Sequence, residues 1–123
     1  MTKRVLDVGQ CNPDHSSISK ILRKHFDVEI ARAALPDDAL GQLRDGRFDL
    51  VLINRKLDAD YSDGTEILRA IKADESLCDI PVMLVSNYAD AQQAAVIAGA
   101  EYGFGKAELD SPETAERLAK FLK

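Results

Sequence analysis

The chain has 123 residues, a formal net charge of -5, 46% hydrophobic and 30% charged residues, and no tryptophan. This length suits one domain over residues 1–123, because such a chain buries enough surface to fold without disulfides or metals. The excess of acidic residues argues against nucleic acid as a partner, since binding to a phosphate backbone needs a clustered Lys and Arg surface.

Five short apolar runs along the chain indicate five strands. Several contain β-branched residues and are apolar throughout, which is typical of strands buried on both faces of a parallel sheet. In chain order these predicted strands cover residues 5–8, 28–31, 50–53, 82–85 and 102–104.

Between and after the strands, apolar residues recur at helical spacing and predict five helices. The stripe of the fourth helix consists of Ala91, Ala94, Ala95 and Ala98. A fifth helix begins at the Ser111-Pro112-Glu113 sequence, where serine caps the helix and the acid complements its dipole. Gly46 and Gly99 stand where the second and fourth helices are expected to end.

Five strands that alternate with five helices predict an α/β fold with a parallel sheet covered by helices on both faces. All the strands then end at one edge of the sheet, where a ligand or reaction site is expected. The segments that reach this edge are residues 9–12, 54–58, 86–88 and 105–106.

Four segments together resemble the receiver domains of two-component response regulators, the CheY-like family, over essentially the whole chain. They are residues 48–54, the Asp63-Gly64 pair before a helix, residues 80–86, and the stretch from Gly99 to Lys106. The resemblance implies a doubly wound (βα)5 sheet with the flavodoxin-like strand order 2-1-3-4-5.

The resemblance also implies where a phosphoryl group would be received. In that family an Asp at the end of the third strand accepts the phosphoryl group, a Ser or Thr ends the fourth strand, and a Lys ends the fifth. Here Ser86 and Lys106 match, but the acceptor position is Asn54. Because a neutral amide has no carboxylate oxygen to act as nucleophile, Asn54 should not accept phosphate, and we expect no catalytic residue and no enzyme activity. Asn54 also suits a polar strand end that caps the next turn.

The family's magnesium ligands are absent as well. Its two acids after the first strand would fall on Gly9 and Gln10, or on Gln10 and Cys11, and neither alignment supplies a carboxylate. Mg²⁺ is a hard cation that carboxylates help to hold, so we expect weak or no Mg²⁺ binding and no other cofactor. Cys11 and Cys78 lack metal-ligand spacing, which indicates free thiols in a reducing cytoplasm.

Loss of the acids changes the expected charge around Lys106. We expect the Lys106 amine to bind the carbonyl oxygen of Asn54 or Ser86 in a neutral or positive pocket. The pocket would be less positive if one of three acids lay close to Lys106: Asp7, Asp14 or Asp58. Asp7 falls inside the first strand, where a buried carboxylate needs a partner. The position that is aromatic in the family, three residues before the lysine, is Gly103.

The sequence favours a signalling module and leaves two alternatives open. One is a receiver that takes phosphate on a surrogate acid of the long loop after the third strand: Asp58, Asp60 or Asp63. The other is a flavodoxin-like cofactor binder, although no Ser/Thr/Gly-rich phosphate loop follows the first strand.

The expected partner is a protein: a histidine kinase, an output domain, or a second copy bound through the fourth helix and fifth strand. No apolar run reaches the length of a membrane helix, and no signal-peptide core follows Lys3 and Arg4, so a cytoplasmic protein without membrane contact is predicted.

Overall fold

The computed structural model describes residues 2–123 and contains one sheet of five parallel strands in the order β2-β1-β3-β4-β5. The strands are β1 (Lys3–Val8), β2 (Val28–Ala33), β3 (Leu50–Asn54), β4 (Val82–Val85) and β5 (Glu101–Phe104). The helices are α1 (Asn12–His25), α2 (Pro36–Asp45), α3 (Gly64–Ala73), α4 (Ala89–Ile97) and α5 (Pro112–Leu122), with a 3₁₀ turn at Lys106–Glu108. The predicted doubly wound fold and strand order are confirmed.

The largest differences between the predicted and observed strand bounds are in β1 and β2. β1 begins two residues earlier than its apolar run, and β2 continues two residues further. Their parallel pairing extends from Lys3 beside Val28 to Val8 beside Ala33. Backbone hydrogen bonding therefore lengthens both strands beyond the residues whose side chains are apolar.

The sheet separates two hydrophobic clusters, one on each face. One cluster joins Val5, Leu52 and Phe104 to α1 and α5. The other joins Val8 and Ile53 to α2, α3 and α4. Both faces of the central strands are thus covered, as the continuous apolar runs predicted. Within residues 2–123, no helix combines the length and apolar character that crossing a membrane requires.

Helix ends follow the predicted chemistry. The Ser111 hydroxyl accepts a hydrogen bond from the Thr114 backbone N–H at 3.2 Å, which caps α5. Gly46 directly follows α2, and Gly99 lies two residues after α4 with φ of 111°. A residue with a side chain rarely adopts that φ, so glycine suits the end of α4.

The predicted alanine stripe of α4 is partly wrong. Ala95 is buried, but Ala94 is exposed, and Gln92 lies in the interior with 2% of its surface exposed. Gln92 finds hydrogen-bond partners on the backbones of β4 and β5, so the helix buries a polar side chain that the predicted alanine stripe did not include.

Candidate functional site

Asn54 ends β3 at the carboxyl edge of the sheet, where the sequence placed it. Its side-chain Nδ2 donates a hydrogen bond to the backbone oxygen of Gly9 at 3.1 Å. This bond ties the end of β3 to the end of β1. Gly64 packs against the same strand end, since a Cβ at that glycine would stand 2.1 Å from the Asn54 backbone oxygen. Asn54 is therefore held at this edge by contacts on two sides.

The two positions after β1 are Gly9 and Gln10, and neither offers a carboxylate. At Gly9 there is also little room for one. Gly9 has φ of 79°, and a Cβ there would lie 2.3 Å from Cδ2 of Leu57. An acid at position 9 would therefore strain the backbone and displace a buried side chain. Gln10 is 4% exposed, and neither of its amide atoms has a hydrogen-bond partner. Cys11 is half-buried and precedes α1 without capping it through its side chain.

Lys106 does not bind Asn54 or Ser86, so that prediction is wrong. Its amine lies 2.7 Å from Oδ2 of Asp14 in the first turn of α1, and both side chains are 34% exposed. Of the three candidate acids, Asp14 is the one that reaches the lysine. A carboxylate is a stronger partner for an ammonium group than a neutral carbonyl oxygen, which explains the preference.

Ser86 follows β4 and is almost fully buried. Its hydroxyl oxygen accepts a hydrogen bond from the backbone N–H of Tyr88 at 3.2 Å. Such a bond stabilises the turn that leads into α4. Ser86 is therefore at the predicted edge but is engaged with its own loop.

Asp7 has a partner that the sequence reasoning missed. Oδ2 of this fully buried carboxylate lies 2.6 Å from Nδ1 of His15, and Nε2 of His15 lies 3.4 Å from the Ser19 hydroxyl. An acid in the middle of a strand signals that a partner is needed. A histidine one turn into the following helix is close enough to be that partner. These contacts connect α1 to β1, and Ser19 is largely buried.

The carboxyl groups of Asp7 and Asp14 have pKa values shifted in opposite directions. Burial raises the pKa of Asp7 above its usual 3.8, and the hydrogen bond with His15 opposes that rise. The hydrogen bond from Lys106 lowers the pKa of Asp14 below 3.8. Asp7 thus favours folding most below pH 3.8 and loses this contribution as pH rises through its folded-state pKa. Asp14 favours folding above pH 3.8 and loses its contribution as pH falls through its lowered pKa.

We therefore expect opposite pH dependences for two matched variants. Relative to Asp7→Asn, the wild-type free energy of unfolding should fall as the pH rises, whereas relative to Asp14→Asn it should fall as the pH is lowered. Urea unfolding of the three proteins between about pH 3 and pH 7 measures both differences. Two differences that change with pH in the same direction would contradict the assignment.

Gln92 bridges β4 and β5 where their pairing is irregular. Its Nε2 donates to the backbone oxygens of Leu84 at 2.9 Å and Ser86 at 3.1 Å, and its Oε1 accepts from the Gly103 N–H at 2.9 Å. A Cβ at Gly103 would stand 2.1 Å from the Leu84 oxygen, so the position cannot hold an aromatic residue in this geometry. Gln92 and Gly103 therefore form one structural unit.

Two of the three surrogate acids are occupied by local hydrogen bonds. Asp63 caps α3 by accepting from the Thr65 N–H at 2.9 Å. Asp60 accepts from both the N–H and the hydroxyl of Ser62, at 3.0 and 2.6 Å. The Asp58 side chain is exposed. In the part of the chain that the structure describes, no group of three or more His, Cys, Asp or Glu side chains is placed to hold a metal ion.

No family model matches the chain, but solved structures do. A candidate response regulator of Chloroflexus aurantiacus J-10-fl is 19% identical, with 98% of each chain covered and a TM-score of 0.85. The receiver domain of NtrX from Brucella abortus is 27% identical, with 94% of this chain and 92% of that chain covered and a TM-score of 0.73. The chain has a receiver fold.

A third neighbour with the receiver fold is a phosphorylated cyanobacterial phytochrome response regulator, RcpA. It is 22% identical, and the match covers 99% of this chain and 94% of that chain with a TM-score of 0.78. The resemblance to the receiver family that the sequence motifs indicated is thus confirmed for the fold. In this receiver fold, Asn54 ends β3, and Ser86 and Lys106 follow β4 and β5 at the carboxyl edge of the sheet.

Proposed function

We propose that the chain is a receiver-type protein-interaction module of phosphorelay signalling that works without taking phosphate at position 54. This proposal rests on Asn54, whose side-chain amide donates a hydrogen bond to the Gly9 backbone oxygen. An acyl phosphate forms when an ionised carboxylate oxygen attacks phosphorus. Asn54 offers a neutral amide instead, so the module would act through its surfaces and would not be an enzyme.

We also propose that Mg²⁺ binds weakly or not at all. The residues after β1 do not fit the ion, because Gly9 has no side chain and Gln10 supplies only a neutral amide. The Asp14 carboxylate at the same edge is already paired with Lys106. Phosphoryl transfer depends on positioning and on neutralising the developing charge, and neither support is present here.

The alternative is a receiver that takes phosphate on Asp58, Asp60 or Asp63. Asp63 serves as the N-cap of α3, and Asp60 accepts two hydrogen bonds from Ser62, so phosphorylation of either would break local structure. Asp58 is exposed and retains a free carboxylate, which makes it the strongest of the three candidates.

A small acyl phosphate donor with Mg²⁺ tests both proposals. We expect no added phosphoryl mass on the wild-type chain by intact-mass measurement. The Asn54→Asp variant should also react poorly, because the carboxylates after β1 are still missing and Gly9 cannot be replaced without displacing Leu57. Calorimetric titration of both proteins with Mg²⁺ should show no tight site.

The RcpA regulator, which is known in phosphorylated form, is the positive control for this reaction. A phosphoryl group mapped to Asn54 would defeat the proposed function. An adduct on the wild type that disappears in Asp58→Asn, Asp60→Asn or Asp63→Asn would establish the alternative instead.

We propose that two surfaces of the chain bind partner proteins. Four large apolar side chains are exposed around α4 and β5, and such clusters often mark protein contacts. They are Tyr88 at 65%, Val96 at 42%, Ile97 at 88% and Tyr102 at 45%. This surface supports binding of an output domain or of a second copy through α4 and β5.

The second surface is a groove of 460 Å³ between α1 and the segment after β5, lined by Ile21, Lys106 and Leu109 among others. We propose this groove, whose lining mixes apolar and charged side chains, as the contact surface for a histidine kinase. Analytical ultracentrifugation of the chain alone and with a candidate kinase distinguishes self-association from binding to a different partner.

A further inference from the structure

Asp7 is an ionisable side chain enclosed within the sheet. It is fully buried in β1, with Arg32 of β2 and Leu52 of β3 as its neighbours across the sheet. Burial disfavours the charged form of a carboxyl group and raises the pKa of Asp7 above 3.8. Asp7 can therefore hold a proton at a pH where an exposed aspartate has lost it.

One oxygen of the Asp7 carboxyl group has a partner in either protonation state. Oδ2 lies 2.6 Å from Nδ1 of His15, and the Ser19 hydroxyl lies 3.4 Å from Nε2 on the other side of the ring. With Nδ1 as the donor, His15 can bond to a carboxylate oxygen or to the carbonyl oxygen of a neutral carboxyl group. The His15 contact favours the charged form, because it lowers the pKa of Asp7, but it is compatible with both forms.

The other carboxyl oxygen lies beside an unpaired amide. Oδ1 of Asp7 and both amide atoms of Gln10 are buried and make no hydrogen bond among residues 2–123. Gln10 is nevertheless close enough to Asp7 to lower the pKa of that carboxyl group. Buried polar groups in native proteins are nearly always paired, so the unpaired atoms of these two side chains are suited to pair with each other.

A glutamine amide can serve both forms of the acid. Its NH2 group donates to a carboxylate oxygen, whereas its carbonyl oxygen accepts from the O–H of a neutral carboxyl group. The two ends of the amide are nearly the same size, so the side chain exchanges them by rotating about its last bond. Gln10 can thus satisfy Oδ1 of Asp7 before and after a proton is lost.

The charged side chains around Asp7 come from β2 and α1. Arg32 and His15 both lower the pKa of Asp7 through their charge. Farther along α1, two cations share a groove with His15, and they are Lys20 and Arg23. Arg32 also donates to the Gln10 backbone oxygen at 3.0 Å, so the main chain at Gln10 is held while its side-chain amide is not.

Gln10 directly follows a residue that joins two strand ends at the carboxyl edge of the sheet. The Gly9 backbone oxygen accepts from Nδ2 of Asn54 at 3.1 Å and from the Asp58 N–H at 2.9 Å. Because one peptide bond joins Gly9 to Gln10, a rearranged Gln10 side chain acts directly beside these hydrogen bonds. A proton on Asp7 can therefore be felt at Asn54.

We propose that Asp7 and Gln10 form a proton switch beneath the loop after β1. At low pH the Asp7 O–H donates to the Gln10 amide oxygen, and at higher pH the amide turns so that its NH2 group donates to the Asp7 carboxylate. His15 is a positioning residue that holds Oδ2 in both states. The switch makes the carboxyl edge of the sheet respond to pH, whether or not position 54 takes phosphate.

Nuclear magnetic resonance of the full chain between about pH 3 and pH 8 tests the switch. We expect the Asp7 carboxyl carbon to titrate with a midpoint above 3.8, and the Gln10 side-chain amide signals to shift with the same midpoint. A smaller shift of the Asn54 side-chain amide should accompany them, because Gly9 links the two residues. An Asp7 midpoint at or below 3.8, or Gln10 amide signals that stay constant through the Asp7 titration, would overturn the proposal. Constant Asn54 signals would overturn its connection to the carboxyl edge.

Three variants identify the titrating group. Asp7→Asn should abolish the Gln10 shift, whereas the matched control Asp14→Asn should retain it, because the Asp14 carboxylate is paired with Lys106 instead. His15→Gln keeps a donor beside Oδ2 but cannot titrate, and the Gln10 shift should persist in it. Loss of the shift in His15→Gln would assign the proton to the imidazole and overturn the proposal, as would its survival in Asp7→Asn. Far-UV circular dichroism confirms that each variant folds, and the wild-type titration decides the proposal if one of them does not.

Discussion

Replacing Gln92 with leucine is expected to lower the free energy of unfolding by about 2–5 kcal/mol. The side chain is 2% exposed and pairs with the backbones of both β4 and β5. Leucine has a similar size but cannot accept from the Gly103 N–H or donate to the Leu84 oxygen. Each buried group left unpaired costs about 1–3 kcal/mol, so the loss should exceed that of an ordinary surface substitution.

The neighbouring residue provides the control. Gln93 is exposed on the same helix, and Gln93→Leu should change the free energy of unfolding by no more than about 0.5 kcal/mol. Urea unfolding of the two variants and the wild type gives both values. Equal stabilities for Gln92→Leu and Gln93→Leu would show that the buried amide does not hold the two strands together.

A second side chain bridges the same two segments. Oδ1 of Asn87 accepts from the Ala107 N–H at 3.0 Å, so the loop after β4 is tied to the loop after β5. Together, Gln92 and Asn87 connect β4, α4 and β5 through hydrogen bonds from side chains to backbone groups.

The fold was predictable because its signals are local. Apolar runs marked the strands, and Ser111, Gly46 and Gly99 marked helix ends through chemistry that acts within a few residues. The order and spacing of the motifs then indicated the receiver resemblance. Asn54 could be placed at the edge of the sheet for the same reason, since it directly follows an apolar strand.

The side-chain partners within the site were less predictable. Gln92 lies among alanines, and helical periodicity carries no information about unpaired backbone groups on distant strands. Lys106 and Asp14 are far apart in the sequence, and only the packing of α1 beside the end of β5 brings them together. Asp7 signalled a missing partner, but identifying His15 required the position of α1 over β1.

Shortening Leu57 to alanine is expected to lower the free energy of unfolding by about 2–5 kcal/mol and to loosen the loop after β3. Leu57 is fully buried, in contact with the core and directly against the Gly9 backbone.

Urea unfolding measures the stability loss, and hydrogen exchange of the Asp58 amide, which donates to the Gly9 oxygen, reports the loosening. Leu35→Ala is the control, because Leu35 is 44% exposed and its truncation should cost far less. Unchanged stability in Leu57→Ala would mean that the loop is held by its backbone bonds alone. If stability falls while exchange at Asp58 stays slow, Leu57 supports the core but not the loop. Faster exchange together with lower stability would establish that this loop depends on a core residue and is an integral part of the fold.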